Sequence, residues 1–158
     1  SIGTAALFVE EGSKGFDTDG IHFNCLHIAE YYIQESIDGK VDTLYRKYKL
    51  TARQAVQEFG FDNVGEKIQT ASKERPDHKF NFIHAVEPTA DYERSTGKSA
   101  TKLKFHSCHV CEEDKMVVRT GGYNEFPYLV PRWSKATGEI FGRSPSFNAL
   151  PDIKTLNI

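Results

Sequence analysis

The stretch Val41-Asp42-Thr43-Leu44-Tyr45-Arg46-Lys47-Tyr48-Lys49-Leu50-Thr51-Ala52-Arg53-Gln54-Ala55-Val56-Gln57-Glu58-Phe59-Gly60 changes its periodicity halfway along. Before Thr51 it is a run rich in β-prone residues. After it, Ala52, Ala55, Val56 and Phe59 recur at helical spacing and form one apolar stripe. Thr51 suits an N-cap, Gln54 three residues later completes a capping-box pattern, and Gly60 supplies the stop. A β run leading straight into a capped helix predicts an α+β fold.

Upstream, Tyr31-Tyr32-Ile33 and Val41–Leu50 flank Asp38-Gly39, a strong hairpin signal. Residues 5–11 and 21–28 are also apolar and β-prone, and Gly12, Gly15, Asp17, Asp19 and Gly20 between them predict a hairpin with a long loop. Downstream, a second helical segment runs from Val64 to Lys73, weakened by Gly65 and ended before Pro76, so that 51–75 reads as one broken or kinked helical arm. From Lys79 the period becomes two: Phe80, Phe82, His84 and Val86 share a face, with Asn81, Ile83 and Ala85 opposite. Residues 88–101 lose all periodicity and read as an exposed loop. Strands resume at 102–111 and 115–120 around the acidic turn Glu112-Glu113-Asp114. Pro127 and Pro131 limit the aromatic stretch 123–133 to an edge strand or extended segment. Ser144-Pro145 and Leu150-Pro151 each mark a helix start, with Phe147, Leu150, Ile153 and Leu156 along one side. The expectation is an α+β architecture of antiparallel β hairpins, a helical arm and a small α/β module.

The chain has 158 residues, 20 Lys+Arg against 22 Asp+Glu, and a formal net charge of −2, which excludes nucleic acid held by bulk charge. With 39% hydrophobic residues it can build one core or two small modules, and disorder is not expected. No run of 18 apolar residues exists, so no membrane partner is expected. The missing initiator Met and secretory signal, and three unevenly spaced cysteines, read as an excised piece of a longer soluble intracellular protein. Charge is uneven along the chain: residues 1–39 net −6 and residues 40–54 net +4. The basic stretch reads first as a solvated or ion-paired face, and alternatively as the contact of a nucleic-acid-binding adaptor.

One cluster invites a chemical reading. His106-Ser107-Cys108-His109-Val110-Cys111 combines Cys-x-x-Cys spacing with two imidazoles, the ligands zinc prefers. Residues three apart on a strand point to opposite faces, however, and no second Cys pair exists to complete four ligands. His106 with Cys108, and His109 with Cys111, remain same-face pairs, so a zinc-binding or metal-assisted module centred on His106, Cys108, His109 and Cys111 is the alternative reading. A thioredoxin-type redox site is discarded, because the acidic triplet that follows would raise the thiol pKa. There is no Gly-x-Ser-x-Gly elbow, and Gly97-Lys98-Ser99 lacks the upstream glycine of a phosphate loop. The residues therefore indicate no enzyme and no cofactor.

Glu125-Phe126-Pro127-Tyr128-Leu129-Val130-Pro131-Arg132-Trp133, Gly138-Glu139-Ile140-Phe141-Gly142-Arg143-Ser144-Pro145 and Ala149-Leu150-Pro151-Asp152-Ile153-Lys154-Thr155-Leu156-Asn157 resemble, in that order, the head-to-tail connecting (portal) proteins of short-tailed bacteriophages. Val41–Arg46, Leu50–Val56 and Phe59-Gly60 are similar to the same family, whereas the Cys/His strand and residues 88–101 match nothing assignable to it.

The resemblance implies a middle fragment of a structural subunit. Such subunits assemble as a homo-oligomeric ring, usually dodecameric, at the portal vertex of the virion after assembly in the host cytoplasm. DNA is packaged and ejected through the ring, with terminase, capsid and tail adaptor proteins as partners. It further implies that residues 1–50 are a β-rich wing portion, 51–75 a helical stem arm, 76–137 a clip-like α/β module and 138–158 the start of a returning stem helix. On this reading double-stranded DNA is touched transiently and non-specifically, with Arg94, Lys98 and Lys102 as the DNA-facing candidates. Tyr123, Phe126, Tyr128 and Trp133 are the partner or subunit interface candidates.

Overall fold

The computed structural model describes residues 3–11, 20–99 and 101–156. These form two compact units, one of residues 1–29 with 127–158, the other of residues 30–126. Among the described residues there are eight strands in two antiparallel sheets, four α-helices and two short 3-10 turns.

In the second unit the change of period at Thr51 is realised as an uninterrupted passage from strand to helix. Strand β3 (Tyr31–Glu35) turns through Gly39, at φ +73°, into β4 (Val41–Thr51), and α1 (Ala52–Phe59) follows with no loop. The Thr51 hydroxyl accepts from Gln54 N at 3.2 Å, and the Gln54 amide oxygen accepts from Thr51 N at 2.9 Å. Carbonyls of His78 and Pro76 take the next two free N–H groups, those of Ala52 and Arg53. Gly60 closes the helix at φ +88°, a value that favours glycine. Helix α2 (Glu66–Glu74) then leads to β5 (Lys79–Pro88).

Strands β6 (Phe105–Cys111) and β7 (Met116–Tyr123) complete a meander of order β3-β4-β5-β6-β7. The period-two reading of β5 holds: Phe80, Phe82, His84 and Val86 are buried, and the alternate residues are half-buried. Helices α1 and α2 cover the Phe80–Phe82 end of that face. Ala52, Ala55, Phe59, Val64 and Ile68 pack there with Phe80, Phe82, Cys111 and Val118. Burying each large side chain of this set contributes about 1.5–3 kcal/mol.

Two expectations need correction. Residues 88–101 are not wholly loop, because Thr89–Thr96 form α3. Its roughly two turns carry no apolar stripe; Asp91 lies in the first turn, Arg94 in the last, and Gly97 at φ +67° is the left-handed stop. Leu150-Pro151 is not a helix start, since one helix, α4 (Pro145–Leu156), runs through Pro151. Pro151 cannot donate a peptide hydrogen bond there, and its ring crowds the carbonyl four residues earlier. The predicted start at Pro145 stands; Ser144 before it is buried, and its carbonyl accepts from Phe147 N at 3.0 Å.

In the first unit, β1 (Ala6–Glu11) lies between β2 (Ile21–Leu26) and the two-residue β8 (Tyr128–Leu129), so the proline-bounded segment is an edge strand. The long loop of the first hairpin, at 12–19, and the side chains of Ile153 and Leu156 lie outside the described residues. Gly3, at φ +86°, sits where a Cβ would collide with the Arg143 and Ser144 backbone; its carbonyl accepts from Trp133 N at 2.8 Å.

Candidate functional site

Five polar or aromatic side chains stand opposite one another on the five strands of the second unit. Register pairs Tyr31 with Arg46, Arg46 with His84, His84 with His109, and His109 with Arg119. The two imidazoles are stacked, with centroids 4.0 Å apart and planes 6° from parallel. His84 shares a 2.9 Å hydrogen bond between Nε2 and the Ser107 hydroxyl, and His109 Nδ1 another of 2.9 Å with the Tyr48 hydroxyl. Arg46 lies over the Tyr48 ring, and Arg119 over Phe59 while paired with Glu58. A bulge in the β6–β7 register after His109 puts Val118 and Arg119 on the same side.

This environment keeps both imidazoles neutral. Burial, with the neighbouring His109, Arg46 and Arg119, holds His84 down to about 2. Burial, with Arg119 and Arg46, holds His109 down to about 4. Neutral stacked rings avoid the repulsion that two imidazolium ions would meet beside two guanidinium groups. The row packs the sheet and offers no proton donor or acceptor poised near neutral pH.

The Cys/His strand divides by face, as its spacing requires. His109 and Cys111 face the side covered by α1 and α2, and Cys111 is buried in that core. His106 and Cys108 face the other side, where the Tyr92 ring of α3 stacks on His106 at 3.8 Å. Burial pushes both thiols up, Cys108 further so through Glu87, which is opposite to what a thiolate ligand or nucleophile needs. Among the described residues no group of three or more His, Cys, Asp or Glu is placed to hold a metal ion. His106, Cys108, His109 and Cys111 therefore do not converge.

The acidic turn Glu112-Glu113-Asp114 is a clamp. Glu113 accepts from Asn81 N and Nδ2 on β5 at 3.0 and 2.8 Å, Glu112 pairs with Lys47 of β4 at 2.7 Å, and Asp114 pairs with Lys67 of α2 at 3.4 Å. Burial works to raise the Glu113 pKa, but the Asn81 hydrogen bonds outweigh it and hold the carboxyl below its ordinary range.

The DNA-facing candidates lie on α3 and the connection that follows it. Arg94 is exposed and paired with Asp91 at 3.2 Å, and Lys98 and Lys102 are exposed. The basic stretch 40–54 forms no single patch. Arg46 belongs to the histidine row, whereas Lys47 and Lys49 point to the opposite face of β4. Of the aromatic candidates, Tyr123 and Phe126 are half-buried in the second unit, Phe126 5.3 Å from Phe105. Tyr128 is buried on Phe8 in the first unit at 4.8 Å, and Trp133 stands 75% exposed. His84, Arg46 and Arg119 were not singled out as a group by sequence; His84 on the buried face of β5 was the available signal.

Comparison with known proteins bears on the whole chain. The family model described as "Bacteriophage head to tail connecting protein" matches residues 1–158. The chain is 32% identical over 159 residues to the "Probable portal protein" of Bordetella phage BPP-1, covering 99% of this chain, and 31% identical over 163 residues to the "Portal protein" of Salmonella phage epsilon15, covering 100%. It spans 28% of the length of each of these relatives.

Proposed function

This chain belongs to the bacteriophage head to tail connecting protein family, and we propose that it is part of a portal subunit that assembles as a closed homo-oligomeric ring, of about twelve copies by family resemblance, at one vertex of the virion. The match over all 158 residues to two proteins named as portal proteins carries the proposal. The geometry suits a structural part: imidazoles held neutral, thiols held protonated, and a basic stretch divided between two sheet faces.

On this reading DNA passes through the ring during packaging and ejection. Terminase, capsid and tail adaptor proteins meet its surfaces, and assembly takes place in the host cytoplasm. Contact with DNA is transient and independent of sequence, through Arg94, Lys98 and Lys102. Tyr128 and Trp133 in the first unit, and Tyr123 and Phe126 in the second, are each assigned to subunit or partner contacts, Trp133 being the exposed one. Residues 1–50 are assigned to the wing, 51–75 to the arm toward the stem, 76–137 to the clip and 138–158 to the returning stem helix. These are divisions of role; α1 and α2 share a folding unit with the sheet they cover.

Negative-stain imaging with light-scattering mass on the full-length protein tests the proposal. Closed rings with a central channel are the expected outcome. A compact monomer or dimer across a range of salt would overturn it.

A further inference from the structure

The three-stranded sheet of the first unit carries apolar residues on both faces, buried on one and largely exposed on the other. Register places Ala6, Phe8, Leu26 and Tyr128 on one side, and all four are buried. Leu7, Val9, Phe23, Cys25 and Leu129 share the other side with Ile21, whose register partner at the end of the strand is Glu11. There Ile21 is 65% exposed, Phe23 63% and Leu129 56%, and Cys25 is exposed as well. The central strand reads Ala-Leu-Phe-Val before Glu10-Glu11, and over those four residues it has the continuous apolar pattern of a sheet with cover on both faces. Solvent-facing edge strands ordinarily carry charge, yet β2, Ile-His-Phe-Asn-Cys-Leu, has no Lys, Arg, Asp or Glu. A contiguous apolar surface of this kind marks an interaction site.

We propose that this face is covered, in the full-length protein, by polypeptide of the same subunit lying outside residues 1–158. The cover is an amphipathic helix or strand whose apolar side packs on Ile21, Phe23, Val9 and Leu129. The match accounts for 28% of each portal relative, so most of the length of such a subunit is elsewhere. The unit that carries the open face is also the one built from residues 1–29 and 127–158, whereas residues 30–126 form the other unit. Further polypeptide is therefore joined covalently to the unit that needs a cover. A tethered segment docks without the association entropy that a separate partner must overcome. The inference rests on the subunit being longer than this chain and does not require that it form a ring.

Cys25 provides the probe. In the full-length protein its alkylation rate, followed by peptide mass mapping, is expected to be at least about tenfold slower in the native state than after denaturation, because reaction requires local opening of the cover. In parallel, a diazirine-bearing aliphatic residue at position 21 is photolysed in assemblies mixed from isotopically heavy and light subunits. Cross-links confined within one subunit and ending outside residues 1–158 are expected. Heavy-to-light cross-links would make the occupant a second copy and overturn the proposal, as would cross-links ending within 1–158. Native reactivity equal to that of the denatured protein would do the same. Intrasubunit cross-links in a protein that forms no rings would leave this proposal standing and remove the portal reading.

Discussion

Replacing Glu113 by Gln tests whether the acidic turn holds the second unit together by charge. The carboxylate accepts from the Asn81 backbone N–H at 3.0 Å and from Asn81 Nδ2 at 2.8 Å, binding the β6–β7 turn to β5. Hydrogen bonds to an ionised group contribute about 1.5–3 kcal/mol each. The carboxamide keeps one acceptor oxygen while presenting an NH2 to two donors, so the net loss should be about 2 kcal/mol. In urea, with a slope of about 2 kcal/mol per molar, the midpoint should fall by about 1 M with the slope unchanged. The pH dependence fixes the cause. Because the folded Glu113 pKa lies below the unfolded value, its contribution is complete above the unfolded pKa, near 4.5, and is lost as pH falls through the folded pKa. The gap between wild type and Glu113→Gln should therefore be constant near neutrality and close progressively in acid. A variant as stable as wild type at pH 7, or a deficit just as large in strong acid, would refute the electrostatic account.

Other outcomes follow from the same geometry. Gly65→Ala should lower stability by about 1–3 kcal/mol in thermal or urea unfolding, because the new Cβ would meet the Asp114 carboxyl, with Cγ only 2.6 Å away, and that carboxylate is held by Lys67. His84→Phe should keep a stacked ring yet flatten the acid limb of the stability profile. With His84 held to about 2 when folded, wild-type stability falls below about pH 6.5 by about 1.4 kcal/mol per unit as the unfolded chain takes up the proton, and the variant loses that term; an unchanged acid limb would contradict it. Replacing Arg94, Lys98 and Lys102 together by Ser should leave folding intact, since all three are exposed, and reduce packaging or ejection in a complementation assay; unchanged DNA transport would remove them from the DNA path.

Much of the fold could be read from local signals. The capping box at Thr51, the Asp38-Gly39 turn and the period-two run at Lys79 each carry a complete physical instruction within a few residues, and each appears as expected. Helix α3 escaped because its support is tertiary: Tyr92 reaches His106, a residue of another strand. Pro151 misled because a proline opposes an interior helical position without forbidding it, and α4 runs through it, whereas the sequence rule treats it as a boundary. The Cys/His strand was legible in the negative sense, since alternation alone separates Cys108 from Cys111. The histidine row was not legible, because α1 and α2 separate Arg46 from His84, α3 separates His84 from His109, and a bulge sets Arg119 opposite His109.

That row also shows how a +4 stretch comes to be divided between two faces of the sheet. A strand deals successive side chains to opposite faces, so Arg46 enters the Tyr31–Arg46–His84–His109–Arg119 row while Lys47 and Lys49 go to the other side. Lys47 is then engaged by Glu112 at 2.7 Å, and Arg119, at the far end of the row, by Glu58 at 2.6 Å. The bases of strand β4 are thus divided between the two faces of the sheet, Arg46 on one and Lys47 and Lys49 on the other. Each phosphate neutralised by a fixed cation adds a counterion-release gain that must be reversed before the polymer can move on. A ring that lets DNA slide in and out, as proposed for this protein, is better served by walls that contact few phosphates at once. The three exposed bases Arg94, Lys98 and Lys102, to which the proposal assigns the DNA contact, are few enough for that, and β4 sets Arg46 on one face and Lys47 and Lys49 on the other.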